Sequence, residues 1–317
     1  MRKIAIAFVM AALSAAAFAQ DYPNRTVHII VPYTAGSTAD ITARVVAERL
    51  GPLLGQSVVV ENRAGANGAV AMQFTAKSRA DGYTLVVAPG SAMSAALALS
   101  KSLPYDPVKD FAPVAMLSSA PIALVVGKDF PANTIQEFVA LAKASPNKHS
   151  YAASGGLLEL SMEALKQKAG ISLVGITYKG PSEAAIDVMA GRVDILSAGL
   201  STQVANVQGG RMKALAVLSP TRATAMPSAP TMIEAGYKDF QIVGWTGLFA
   251  PAGTPQAVIN RLNSEVAKIM NMAEVKKQFD GLGLETMPFT PAQLAAFLTE
   301  DIARFEAISK AAGIQKR

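Results

Sequence analysis

The sequence predicts an α/β protein of two doubly wound domains joined by two crossing strands. Three observations carry that prediction. Short β-branched runs alternate with helical patterns along most of the chain, as they do in parallel α/β sheets. Two stretches, one around Ala120 and one from Gln241 to Ala250, read as strand material between the alternating blocks. Several strand patterns also end in Ser, Thr or Gly just before a helix, which is where open α/β sheets place their ligands.

The chain begins with an export signal. Arg2 and Lys3 form a positive n-region, Ile4 to Leu13 an apolar h-region, and Ala17-Phe18-Ala19 a small-x-small cleavage site before Gln20. The segment is too short for a membrane span, so residues 1–19 are set apart from the fold and a periplasmic location is expected. Without the two charges of Arg2 and Lys3, the formal net charge of +6 becomes +4. There is no cysteine, which excludes disulfides and thiolate chemistry and is compatible with an oxidising compartment. The positive charge is spread along the chain without a Lys/Arg block, so nucleic acid is not an expected partner. After the signal, no apolar run approaches the ~20 residues of a spanning helix.

The first unit runs from Thr26 to Leu50. Val27, Ile29, Ile30 and Val31 read as a strand buried on both faces. The loop Pro32-Tyr33-Thr34-Ala35-Gly36-Ser37 follows, with Ser37 or Thr38 as helix cap and Asp40 complementing the dipole of the first turn. Free N–H groups at such a corner favour an anion, and no nucleophile stands there. Strands are expected at Ser57 to Val60 and Tyr83 to Ala88, with a helix from Gly68 to Lys77 between them. A short helix from Ser91 to Leu99 offers Ser91 and Ser94 either to the same cleft or to local capping.

The chain is expected to cross into a second domain near Ala120. There, Thr134 to Glu137 is a capping box opening a helix to about Ala144, and Ser150 to Ala153 is a strand. Ser154-Gly155-Gly156 then leads into a helix from about Leu158, a second anion-friendly corner. Strands at Val174 to Tyr178, Val193 to Leu196 and Met212 to Leu218 complete the block, with a helix from Pro181 to Ala190. After the return crossing, Thr254 is expected to cap a helix with Pro255 at its first position, running to Asn271. Thr290 to Gln293 opens the last helix with another capping box. The expected domains are 20–120 with 246–317, and 121–245. Two crossings imply a hinge and a cleft that closes on a ligand.

Many short stretches occur in one order over the whole mature chain. They are Tyr22-Pro23, the Val31-Pro32 loop with Asp40, Gly55-Gln56 with VVVENRAGANG, and Asp81 to Leu85. Then come LPYDPVKDFAPV, YKG from Tyr178, AGRVD from Ala190, ALAV from Ala214, PTMIEAG, and Trp245 with APAGTP. Together they resemble the Bug receptors, the extracytoplasmic solute-binding proteins of tripartite tricarboxylate transporters. The resemblance implies a type II periplasmic-binding-protein (Venus flytrap) fold and a small-molecule carboxylate ligand. It also implies delivery to membrane permease subunits; a monomer without a cofactor is expected. For the site it implies a carboxylate held by the amides and waters of Tyr33, Thr34, Ala35, Ser37 and Thr38, with Ser154 and Gly155 opposite. It places Asp194 near the cleft floor; the other reading of Asp194 is a cap at a strand boundary.

The departures shape the expected ligand. The family's first loop usually carries Pro-Gly-Gly where this chain has Thr34-Ala35-Gly36-Ser37. The second corner continues with Gly156, Leu157 and Leu158 in place of Gly-x-Gly-Ser, and Glu159 and Glu183 add negative charge near the mouth. One carboxylate at the first loop and an apolar or aromatic body toward Leu157 and Leu158 is the expectation, with an aromatic or dicarboxylic acid favoured, and citrate is disfavoured because no Arg or Lys cluster serves three charges. Lys179 is either a carboxylate partner or a solvated lysine, and Trp245 is expected in hinge or core packing. His28 and His149 lack acidic or sulfur partners at ligand spacing, so no metal site is expected. Two rival classes remain: a receptor feeding a signalling system, and an exported enzyme, for which no Gly-x-Ser-x-Gly elbow or catalytic pair is present.

Overall fold

The computed structural model describes residues 22–311 except 154, 155 and 179, and in addition residues 313 and 316. The export signal therefore lies outside the described residues.

The first strand, β1 (Val27–Val31), is apolar because both of its faces are covered. Val27, Ile29 and Val31 pack on Ala43, Val46 and Leu50 of helix α1 (Thr38–Leu54), while Ile30 turns to Met72 and Trp245 on the other side. Ser37 caps α1 by accepting the Asp40 N–H at 3.2 Å, and Gly55 ends it in the left-handed region at φ 68. Then follow β2 (Val58–Asn62), α2 (Ala69–Ala76), β3 (Thr84–Pro89) and α3 (Gly90–Leu99). Both β2 and β3 pair parallel with β1.

One long strand, β4 (Phe111–Gly127), carries the chain from this sheet to a second. Register shifts beside Pro113 and near Ser118 show how it accommodates the Pro and Ser residues that interrupt its apolar pattern. The second lobe contains α4 (Ile135–Ala144), β5 (Ser150–Ala153), α5 (Gly156–Ala169), β6 (Val174–Thr177) and α6 (Pro181–Met189). Next come β7 (Ile195–Gly199), α7 (Leu200–Gln208) and β8 (Met212–Val217). The chain returns through β9 (Val243–Pro251) and ends in α8 (Gln256–Asn271), α9 (Ala273–Gly281), β10 (Glu285–Thr286) and α10 (Pro291–Ala311).

The two sheets repeat one plan. In lobe one the order is β2-β1-β3, parallel, followed by antiparallel β9 and then β4. In lobe two it is β6-β5-β7, parallel, followed by antiparallel β4 and then β8. β4 pairs with β9 from Phe111 to Pro121 and with β7 and β8 from Ile122 onward. The return begins at Ile242, whose N–H still donates to Leu218 of lobe two, before β9 joins the first sheet. Each sheet is covered on both faces, giving four apolar clusters.

Two helices belong to both lobes. α3 places Ala92 and Met93 in a lobe-one cluster but Ala95 and Ala98 in a lobe-two cluster. α10 does the same with Leu294 and Leu298 on one side and Phe305 on the other. The two capping boxes form: Thr134 accepts the Glu137 N–H at 3.1 Å, and Thr290 and Gln293 bond reciprocally. Thr254 departs from its expected role as a cap. Its hydroxyl turns back to the Pro251 carbonyl at 2.7 Å, and Pro255 precedes α8 without a side-chain cap.

Candidate functional site

The parallel strands of both lobes point their carboxyl ends toward the crossing, so the ends of β1, β2 and β3 face the ends of β5, β6 and β7. The first loop is held by Asp40. Its carboxylate accepts the Gly36 N–H at 2.9 Å, Arg44 Nε at 3.1 Å and Asn62 Nδ2 at 2.9 Å, and the same Asn62 amide donates to the Tyr33 carbonyl at 2.9 Å. Burial alone would raise the Asp40 carboxyl, but the bonds from Arg44, Gly36 and Asn62 outweigh it and hold it below the usual carboxylate range. Asp40 is thus spent on the loop, and Thr34, Ala35 and Gly36 stand exposed above it.

Tyr33 closes one side. Its hydroxyl meets Ser91 Oγ at 2.9 Å, which ties the first loop to the start of α3. Burial pushes the Tyr33 phenol up, opposed in part by that bond. The structure therefore brings Tyr33, Thr34, Ala35, Ser37, Thr38, Asp40 and Ser91 to one place. The loop after β2, which carries the RAGANG stretch, joins them. Ala66 and Asn67 adopt left-handed φ values of 45° and 53°. A Cβ on Gly68 would lie 3.1 Å from Pro32 Cβ and 3.5 Å from Ala92 Cβ, so only glycine lets this loop sit so close. The Asn67-Gly68 pair is the turn signal that marks it in sequence.

Two expected residues lie elsewhere. Ser94 is fully buried and donates to Gly90 O and to Asp301, so its hydroxyl turns away from the cleft into packing between α3 and α10. Asp194 precedes β7 and accepts the Ser150 N–H at 2.7 Å, with His149 Nδ1 at 3.5 Å. Ser150 begins β5, so this carboxylate sits at the amino end of the second sheet, about four residues or ~13 Å from the corner that follows the strand. It is a strand-start residue and does not line the cleft floor. Ser154, Gly155 and Lys179 lie outside the described residues. Gly156 opens α5 at φ 57, Leu158 is half-buried, and Leu157 is turned into the lobe-two core. Leu157 is therefore not a wall for a ligand.

Three more helices begin at strand carboxyl ends without a side-chain cap: α3 after Pro89, α6 after Gly180 and α7 after Gly199. Their first-turn N–H groups lack intrahelical partners and carry the positive end of the dipole. The nearby arginines are committed, Arg44 to Asp40 and Arg63 to Glu61 and the face of Phe74. Among the described residues no group of three His, Cys, Asp or Glu could hold a metal ion.

This two-lobed α/β architecture, hinged on β4 and the strand that returns beside it, is that of a periplasmic binding protein. Residues 42–314 match the TctC family, described as tripartite tricarboxylate transporter family receptor, and the chain belongs to that family. It is 34% identical to Protein BugT of Bordetella pertussis over 98% of this chain and 96% of that protein. Among solved structures it resembles R. palustris Rpa4515 with adipate, at a TM-score of 0.86 and 31% identity, covering 94% of this chain and 100% of that one. It also resembles MatC from Rhodopseudomonas palustris with bound malate, at 0.80 and 31%, covering 91% of this chain and 100% of that one.

Proposed function

We propose that this protein is an exported, periplasmic receptor, cleaved after Ala19, that captures a small carboxylate between its lobes and delivers it to the permease of a tripartite tricarboxylate transporter. A dicarboxylic acid is the favoured ligand, and the receptor works as a monomer without catalysis. The observation that carries this reading is the set of helix starts around the cleft. α1 is capped by Ser37, α3 and α6 have no side-chain cap, and the arginines nearest the first loop are already paired. Such a site offers backbone N–H groups and hydroxyls to an anion in each lobe, which suits two carboxylates better than one. The adipate and malate held by the two relatives support the same class. Leu157 lies in the core and Leu158 packs half-buried against the same cluster, which favours an aliphatic diacid over an aromatic one.

The test is a thermal-shift and calorimetry panel on residues 20–317 with adipate, malate, citrate and benzoate. A ligand at 100 times its dissociation constant adds ~2.7 kcal/mol of stability. Aliphatic diacids are expected to shift the melting point and benzoate to leave it unchanged. A response to citrate alone, or to none of the acids, would sink the dicarboxylate reading. Membrane fractions should retain the ligand-loaded receptor through the permease, and retention only by a sensor protein would favour signalling instead.

A further inference from the structure

The lobes also touch away from the carboxylate loops. The turn between α9 and β10 brings Gly283, at φ +67, against the first turn of α7. A Cβ there would lie 3.1 Å from the Ser201 amide nitrogen, 3.3 Å from Ser201 Cα and 3.3 Å from Val204 Cγ2, all atoms of α7. One narrow crevice at this place is lined by Leu200, Ala223 and Thr224 of lobe two and by Asp280, Leu284 and Glu285 of lobe one. β10 pairs with β4 at Ser118 and Ser119, just before β4 changes sheets, so the turn is anchored at the hinge. The α7 start, which has no side-chain cap, is thus covered by a turn of the other lobe.

We propose that Gly283 is a closing contact of this receptor, whose missing Cβ lets the lobe-one turn seat on α7 and so sets how far the lobes close on the ligand. The proposal rests on the cleft being the ligand site. Ser201 N and Cα are helix backbone and cannot swing aside as a side chain would. Leu200, the residue before Ser201, is buried in a lobe-two cluster, so a Cβ at 3.1 Å has to be relieved by a shift between the lobe-one turn and the helix backbone of lobe two. Displacement away from lobe one lowers the closed population, and apparent affinity falls with that population even though no ligand contact has changed.

The experiment compares Gly283→Ala with two controls in the mature chain. Gly281→Ala adds a Cβ into open space at the end of α9, two residues earlier, and Gly210→Ala adds one at φ +66 with nothing within 4 Å, which controls for left-handed strain. Adipate binding is measured by calorimetry, and the radius of gyration by small-angle scattering with and without adipate. Only Gly283→Ala is expected to weaken adipate binding, by at least about fivefold, and to keep a larger radius at saturating adipate. Wild-type affinity and radius in that variant, or a loss no greater than in Gly210→Ala, overturn the proposal. If the wild-type protein does not bind adipate, the dicarboxylate reading fails by itself. The Gly283 proposal is then decided by ligand-free scattering: a larger radius in Gly283→Ala alone supports it, and equal radii overturn it.

Discussion

The indole N–H of Trp245 donates to Oδ2 of Asp301 at 2.7 Å, and the Ser94 hydroxyl donates to the same oxygen at 2.5 Å. One buried carboxylate thereby joins β9, α3 and α10. Replacing Asp301 by Ala leaves the buried indole N–H of Trp245 without an acceptor, while Ser94 keeps the Gly90 carbonyl. At ~1–3 kcal/mol for an orphaned buried group, the variant should lose about that much. Urea unfolding measures this, and the emission of Trp245, the single tryptophan, should shift to the red. A loss under ~0.5 kcal/mol, the size of an ordinary surface change, would show that the carboxylate is not needed there.

Gly90 is the floor on which that indole rests. A Cβ at Gly90 would lie 2.4 Å from Trp245 Nε1, well inside contact distance. Gly90→Ala should therefore destabilise by ~1–3 kcal/mol through overpacking and displace the neighbouring Ser91 from Tyr33. Thermal melts and ligand titration on the same sample should fall together; a variant that melts like wild type refutes the contact.

Asp40 and Asn62 hold the first loop as a unit. Asp40, expected at the ligand, serves it through the loop, so Asp40→Ala and Asn62→Ala should each weaken ligand binding by loosening that loop. Because both act on the same loop, the double variant should lose less than the two single losses added together, with a coupling of ~0.5–3 kcal/mol. Simple additivity in a double-mutant cycle would separate them.

The pH dependence of stability should have two limbs of opposite sign. Asp301 is pushed up by burial, against the Ser94 and Trp245 bonds and the Arg304 charge. Its native form takes up a proton that the unfolded chain has released, so stability should rise as pH falls through that raised value toward the ordinary carboxylate range. Asp40, Glu61 and Asp106 are held below the usual carboxylate range. Their contribution is present above about pH 4 and is lost as pH falls through their lowered values. Melting temperature against pH should thus rise slightly on mild acidification and then drop. Asp301→Asn should flatten the upper limb only.

Local rules made β1, its loop, α1 and both capping boxes legible in the sequence, since each depends on residues within a few positions of one another. Ser91 and Ser94 show where such rules stop. Three positions apart on a helix, the two look equivalent, and only the arrival of α10, some two hundred residues later, sends Ser94 to Asp301 and leaves Ser91 for Tyr33. Asp194 kept two readings for a related reason: the residue type marks a strand boundary but not which end of the sheet that boundary occupies. Thr254 had the composition of a helix cap, yet the turn after Pro251 offered its hydroxyl a nearer carbonyl. Gly283 and Gly90 carry no chemistry of their own, so their importance is visible only as the space a methyl group would take from a neighbour.

Phe305 near the end of the chain fills a hole in lobe two, as do Ala95 and Ala98 from α3. The lobes are therefore not exchangeable cassettes. A fragment of residues 121–245 would be missing part of its own interior and would present a sticky apolar face. A chimera that grafts one receptor's second lobe onto another's first would inherit mismatched packing unless both helices travelled with it. New ligand preferences are more readily reached by changing the exposed loop residues than by trading whole lobes.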